Sequence, residues 1–476
     1  MSKPETCYMT RRILFLIGLL SALATVTAIA DDSAPLPSCE HTPEVCLQSL
    51  AELSTKELRK RVYTSKLKIV QKVQRDDGQR TYMLAYQSDS LALYSRLDLP
   101  SSEPPAAGYP ILILAPGWIS RKQALDWDFG LGGSSTTSSV IQHFRDRGFA
   151  VMTAGYRGRG QVKGVRAQGM QFRDAWGNGS YVSPIFYAID VLNLIAGVQS
   201  LDQIRWKQWQ PAASKKPIFN YDKVSLWGHS QGGDVGITVL AVAGHNRDYP
   251  QRLFAASLWS GNIPDRFTQA NTFGAMASTT QAFMSGDGTW TGSAAGKNGE
   301  LNPDFIFPWP SDWIGTVDTK SAQWTWQAQQ WSTNTVTEAR QVKYREMYDT
   351  LNRYVKDMAD LDFKVVPGKS GQIQHASAVA AIMPTLGGYN YAQYIDLPLA
   401  LHISDRDYYS FPEWNHDLAS RITKHGGKAR VYIYPANTHS LKVSEHAWFS
   451  PPGSTSGAPI AMDRDAHLFR EPGFAD

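Results

Sequence analysis

The sequence predicts an α/β protein: a doubly wound, mostly parallel sheet with a large inserted cap domain. Three observations predict it. Short, continuous apolar runs alternate with helix-like stretches from Ile111 to Tyr434, the pattern of a parallel sheet wrapped by helices. One run, Val224–Trp227, breaks into Gly228-His229-Ser230-Gln231-Gly232 and then an apolar helix beginning near Val235. The interval from Trp259 to Leu397 is also far longer than the roughly 2–6 residues that usually connect sheet elements.

Residues 1–30 form a targeting segment. Arg11-Arg12 precede the apolar stretch Ile13–Leu20, and Ala28-Ile29-Ala30 offers small residues for cleavage ahead of Asp31-Asp32. The apolar part falls short of the ~20 residues that span a bilayer. The expectation is export to the periplasm or the medium, with no stable membrane anchor. Thr10-Arg11-Arg12 leaves the general secretory and twin-arginine routes both open. Of three cysteines, Cys7 lies in this segment and Cys39 and Cys46 remain. An exported chain with two cysteines is expected to join them, and so small a loop adds about 2–3 kcal/mol by chain-entropy reasoning. Their spacing fits no metal pattern.

The whole sequence has the composition of a globular protein. Hydrophobic residues make up 42% and charged ones 19%, enough apolar surface for a substantial core. Lys+Arg 47 against Asp+Glu 43, with no basic block, argues against nucleic acid as a partner.

The elements follow in order. Leu47, Leu50, Leu53 and Leu58 give Val45–Lys60 a helical spacing. Residues 62–98 look like meandering strands, and Ser101–Gly108 is a loop. Ile111–Leu114 has the unbroken apolar character of a fully buried parallel strand. Val140–Arg147 is helix, Ala150–Ala154 strand and Ile185–Ala196 helix. The elbow strand and helix come next, then the strand Phe254–Trp259. Leu397–Ile403 and Arg430–Tyr434 are the last strands, with the helix Trp414–Lys424 between them. The long interval is rich in Trp and includes an amphipathic stretch marked by Met347, Leu351, Tyr354, Val355 and Met358. It needs a core of its own, so the domains expected are 31–265 and 396–476 as two parts of one α/β domain, with 266–395 as the inserted cap.

The chemistry centres on Ser230. A Gly-x-Ser-x-Gly turn between strand and helix leaves its serine exposed on a sharp bend. A neutral serine hydroxyl is a weak nucleophile and needs a base and a group that orients the base. Among eleven histidines, His439 stands in the loop after the last strand, at the carboxyl edge where open α/β sheets place their ligands. Ser404-Asp405-Arg406-Asp407 follows the preceding strand. Asp407 is the preferred acid, with Asp405 and then Asp265 as rivals. The oxyanion donors expected are the backbone N–H groups of Gln231, after the nucleophile, and Trp118, in Ala115-Pro116-Gly117-Trp118.

From about Leu91 to Leu441, without the insertion, the chain resembles the α/β-hydrolase superfamily. The prolyl-oligopeptidase-like and dienelactone-hydrolase-like branches are nearest. The resemblance rests on Gly155-Tyr156-Arg157-Gly158-Arg159-Gly160, Gly228–Gly233, Ser404–Asp407 and Asn437-Thr438-His439. Two positions depart from it. Pro116-Gly117 stands where His-Gly is usual, and Ser404 where a glycine usually precedes the acid. Arg157 and Arg159 could meet an anionic substrate or serve the scaffold.

The activity expected is that of a secreted serine hydrolase cleaving carboxylic esters, without cofactor or metal. Its substrate is expected to be a small ester with an apolar or aromatic part, received under the Trp-rich cap. A serine peptidase acting on small peptides is the alternative, although residues 31–105 are too short for the β-propeller that oligopeptidases of this superfamily usually carry. A catalytically inactive scaffold used for binding is the third reading.

Overall fold

In the computed structural model, the residues described are 50–74, 79–119, 121–131, 136–172, 183–204, 209, 217–265, 385–405, 407, 410–444, 450–471 and 473–475. They fall within one compact unit, Pro35–Asp476. The expected signal segment, Cys39, Cys46 and most of the expected cap lie outside the described residues.

In chain order the elements are α1 (Thr55–Lys60), β1 (Lys68–Val73), β2 (Arg80–Ser88), β3 (Leu91–Leu99), β4 (Tyr109–Ala115), α2 (Arg121–Leu125), α3 (Thr136–Asp146), β5 (Ala150–Ala154), β6 (Gln161–Val162), β7 (Val165–Arg166), α4 (Ser183–Ala196), β8 (Phe219–His229), α5 (Gln231–Ala243), β9 (Ala256–Trp259), β10 (Leu399–Ser404), α6 (Pro412–Lys424), β11 (Ala429–Tyr434) and α7 (Gly457–Leu468). Nine strands form one sheet in the order β1-β2-β3-β5-β4-β8-β9-β10-β11. The pairs β1–β2, β2–β3 and β3–β5 are antiparallel. From β5 to β11 every neighbour is parallel. The doubly wound, mostly parallel sheet is the architecture expected.

Side-chain alternation along β4 shows how the two faces are filled. Ile111 and Ile113 join a core with residues of α4, α5 and α6. Leu112 and Leu114 join a second core with Val140 and Phe144 of α3 and Ala461 and Leu468 of α7. A strand buried on both faces has to be apolar at every position, and each such side chain contributes about 1.5–3 kcal/mol on burial.

Three local departures have plain causes. Of the helix expected over Val45–Lys60, the described residues form a 3₁₀ turn, Leu50–Leu53, followed by α1. The two separate at Ser54, whose side chain accepts the Glu57 N–H and caps α1. The elbow strand begins at Phe219, five positions before Val224, because its start pairs with Tyr109 and Pro110 across an irregularity in register. Helix α7 was not anticipated: Gly457 and Pro459 conceal it in a Gly/Ser/Pro-rich tail. Gly457 lies so close to the Tyr434 ring that a Cβ would be 2.3 Å from it.

Within the interval 266–395, residues 385–395 are described. They include a 3₁₀ turn, Tyr389–Tyr394, and Leu386, Tyr389, Ala392 and Ile395 belong to the core shared with α5 and α6.

Candidate active site

Ser230 joins β8 to α5 with its backbone at φ 57°, ψ −125°. A positive φ strains any residue that carries a Cβ, and bonds on both sides maintain it. Ser230 N donates to the Trp259 carbonyl at 2.9 Å, and Gly233 N donates to the Ser230 carbonyl at 2.8 Å. The bend has no room beside it. A Cβ on Gly232 would lie 1.8 Å from the carbonyl oxygen of Ala115, the last residue of β4. Gln231 opens α5, so its N–H belongs to the first turn, where no helical carbonyl is available.

The loops after β10 and β11 bring an acid to a histidine. The Asp407 carboxylate oxygens lie 2.9 and 2.8 Å from Nδ1 of His439. A carboxylate at Nδ1 fixes the neutral ring with its proton there, which leaves Nε2 as the basic nitrogen. Asp407 is buried and is held in turn. Ser410 N donates to its Oδ1 at 3.1 Å, and Ser410 Oγ donates to the Gly261 carbonyl after β9.

The two other acids make different bonds. Asp405 accepts the Ala436 N–H at 2.8 Å and braces the turn after β11. Asp265 accepts Asn390 Nδ2 at 3.0 Å. Ser404, in the position where a glycine is usual, donates its hydroxyl to the Asn437 carbonyl and so ties the start of the acid loop to the histidine loop.

Both loops therefore open at the edge of the sheet where β8 delivers Ser230. A sheet of this order carries an elbow serine after β8, an acid after β10 and a histidine after β11, in the chain order Ser, Asp, His. The fold is that of the α/β hydrolases.

Residues 450–458 anchor the histidine loop of this α/β-hydrolase fold. Gly457 N donates to Asn437 Oδ1 at 2.8 Å and Ala458 N donates to the Leu441 carbonyl at 2.7 Å. Ser450 Oγ donates to the Ala436 carbonyl at 2.6 Å. His229 links this loop to the elbow. Its Nε2 lies 3.1 Å from the His439 carbonyl, and the two rings are 5.1 Å apart between centroids. Burial, and then the charge of His439, lowers the pKa of His229 from its ordinary 6.5 to about 4.

The loop after β4 lies against the elbow. A Cβ on Gly117 would be 3.1 Å from both Ser230 Cβ and the His229 carbonyl, which places Gly117 next to the serine. Tyr156 Oη donates to the Pro116 carbonyl at 2.9 Å and Arg159 donates to the Gly117 carbonyl at 2.7 Å. The Trp118 side chain is 47% exposed. Arg157 belongs to the scaffold: it is buried and bonded to Asp190 at 2.7 Å and Asp89 at 2.9 Å. Among the described residues, no group of three or more His, Cys, Asp or Glu side chains could hold a metal ion.

Sequence reasoning missed the bracing by His229, Tyr156 and Ser410. Each bond has a main-chain group at one end, and such bonds leave no pattern of partner residues in a sequence.

No protein-family model and no curated protein matches this sequence. Among solved structures it is similar to an acetyl xylan esterase from Paenibacillus sp. R4, at 13% identity and a TM-score of 0.42 over 83% of this chain and 89% of that one. It is also similar to Est1E from Butyrivibrio proteoclasticus with ferulic acid bound, at 14% identity and 0.38 over 81% and 97%. The acylaminoacyl peptidase of Pyrococcus horikoshii is similar at 12% identity and 0.40, over 87% and 52%.

Proposed function

We propose that the chain is a serine hydrolase that cleaves carboxylic esters through Ser230, His439 and Asp407. The observation that carries this reading is the pair of contacts, 2.9 and 2.8 Å, between Asp407 and His439 Nδ1, on loops at the same sheet edge as a strained elbow serine.

In this mechanism His439 Nε2 takes the Ser230 proton as Oγ attacks the ester carbonyl. Asp407 stabilises the imidazolium that forms. The tetrahedral oxyanion is received by the N–H groups of Gln231 and Trp118. Its collapse expels the alcohol, which leaves with the proton from His439. Water, deprotonated by the same nitrogen, then attacks the acyl-Ser230 ester and releases the acid.

The residues beyond Asp265 form a cap over this edge, and the substrate is a small ester with an apolar or aromatic part. Support comes from the two ends of this segment, which meet: Asn390 Nδ2 donates to Asp265 Oδ2 at 3.0 Å. The protein is exported after cleavage near Asp31, and Cys39 and Cys46 form its disulfide. Among the described residues, no helix is long and apolar enough to cross a membrane.

The test is labelling of the full chain with a fluorophosphonate, with Ser230→Ala as control, followed by assays on p-nitrophenyl esters of graded chain length and on peptide anilides. Labelling that depends on Ser230, with faster turnover of esters, is the expected result. An unlabelled protein would be an inactive scaffold, and faster turnover of anilides would make it a peptidase. Intact mass of the exported protein, with and without alkylation, tests the cleavage site and the disulfide.

A further inference from the structure

We infer that Arg159 is a positioning residue for the oxyanion donor on Trp118, an inference that rests on the serine-hydrolase reading above. The argument begins with one peptide unit. The Gly117 carbonyl and the Trp118 N–H belong to the same planar group and point in opposite directions. Arg159 donates to that carbonyl at 2.7 Å, so it fixes the plane and with it the direction of the Trp118 N–H.

The plane needs fixing. Position 117 is a glycine in a tight place, where a Cβ would sit 3.1 Å from Ser230 Cβ, and glycine lets its flanking peptide planes rotate at little cost. The neighbouring plane is held as well, by Tyr156 Oη on the Pro116 carbonyl at 2.9 Å. Two consecutive peptide units beside the nucleophile are thus clamped by one turn, the segment that follows β5.

That turn is rigid. Arg159 is 3% exposed, with its guanidinium 4.3 Å from the Trp127 ring centroid and 5.2 Å from that of Tyr156. Its backbone N–H donates to the Tyr156 carbonyl at 3.0 Å, and the Tyr156 ring stacks on Tyr187 at 4.5 Å. The bond to Gly117 is charge-assisted. It also polarises the peptide group, which makes the Trp118 N–H a stronger donor to a developing negative charge.

The experiment compares Arg159→Met, Arg159→Lys and Tyr156→Phe with wild type in the full chain. It reads kcat and KM on p-nitrophenyl acetate, the fluorophosphonate labelling rate and the melting temperature. Loss of one oxyanion donor costs about 10²–10³ in kcat, so a donor left in place but loosely aimed should cost roughly 10–100-fold in Arg159→Met. KM should stay within about twofold, because the donor acts mainly in the transition state. Labelling should slow in parallel, since it also builds negative charge on an oxygen in the hole. Arg159→Lys should recover part of the rate, and Tyr156→Phe, which removes one hydroxyl, should lower kcat by a smaller factor with the same unchanged KM. If Arg159→Met does not fold, Arg159→Lys and Tyr156→Phe carry the test. Folded variants that label and turn over at wild-type rates overturn the inference while wild-type labelling upholds the hydrolase. A wild-type protein that does not label removes the hydrolase reading, and this inference with it.

Discussion

His229 Nε2 donates to the main-chain carbonyl of His439 at 3.1 Å, so the residue before the candidate nucleophile holds the backbone of the candidate base. A carbonyl can only accept, which fixes the proton of the neutral His229 ring on Nε2. Protonating the ring would bury a second charge beside His439, the combination that depresses its pKa.

This relationship has a pH signature. The pKa of His229 is about 4 in the folded chain against an ordinary 6.5. Between those values the unfolded chain binds more protons than the folded one. The stabilisation is therefore complete above about pH 6.5 and is lost as the pH falls toward 4. His229→Gln removes the titration and retains an amide N–H. Urea unfolding at pH 7, 6 and 5 should show the wild-type midpoint falling more steeply than that of the variant. Parallel slopes would assign the acid sensitivity to other groups.

Ser230→Ala should lower kcat by roughly 10⁵–10⁶, and His439→Ala by about as much, because nucleophile and base act as a unit. The double variant should be no worse than either single one. Steady-state kinetics on a p-nitrophenyl ester decides the matter, and turnover near wild type in either single variant would remove the proposed triad.

The two aspartates of the acid loop should part company. Asp407 lies against His439 Nδ1 and Asp405 accepts the Ala436 N–H. Asp407→Asn should reduce kcat by about 10⁴, since an amide there favours the wrong tautomer of the histidine. Asp405→Asn should instead cost stability, about 1 kcal/mol for one weakened hydrogen bond, with kcat falling far less. Equal losses in kcat would contradict this division.

Gly232→Ala should be severe for a change of one methyl group. The new Cβ would press 1.8 Å from the Ala115 carbonyl and 3.0 Å from that of Pro116, so the elbow and the loop after β4 would have to separate. The variant should melt well below wild type and also lose turnover beyond what its unfolded fraction explains. Thermal unfolding and active-site titration together check it. Gly148→Ala meets nothing within 4 Å and serves as the comparison, although its own positive φ of 87° adds strain of about 1 kcal/mol.

How far the sequence reaches can be seen residue by residue. Ile111–Leu114 announced a doubly buried strand because four consecutive apolar side chains satisfy both faces of a covered sheet. Ser230 was legible because the bend that carries it admits only glycine at its tightest points, so steric need wrote a local motif. The loops of Asp407 and His439 followed from the strands before them, since an open α/β sheet gathers its chemistry at one edge.

Tertiary structure decided what depends on contacts distant in the chain. Asp405 and Asp407 are the same residue type two positions apart, and only the register of the loop against β11 determines which one reaches His439. Helix α7 stayed hidden because its first residues are Gly457, Ala458 and Pro459, and its stability comes from packing against Tyr434, Val140 and Phe144 rather than from its own propensity. The clamps by His229, Tyr156 and Arg159 end on main-chain carbonyls, and every residue carries a carbonyl. A sequence records which side chains are available; which backbone each one grips is settled only when the chain has folded.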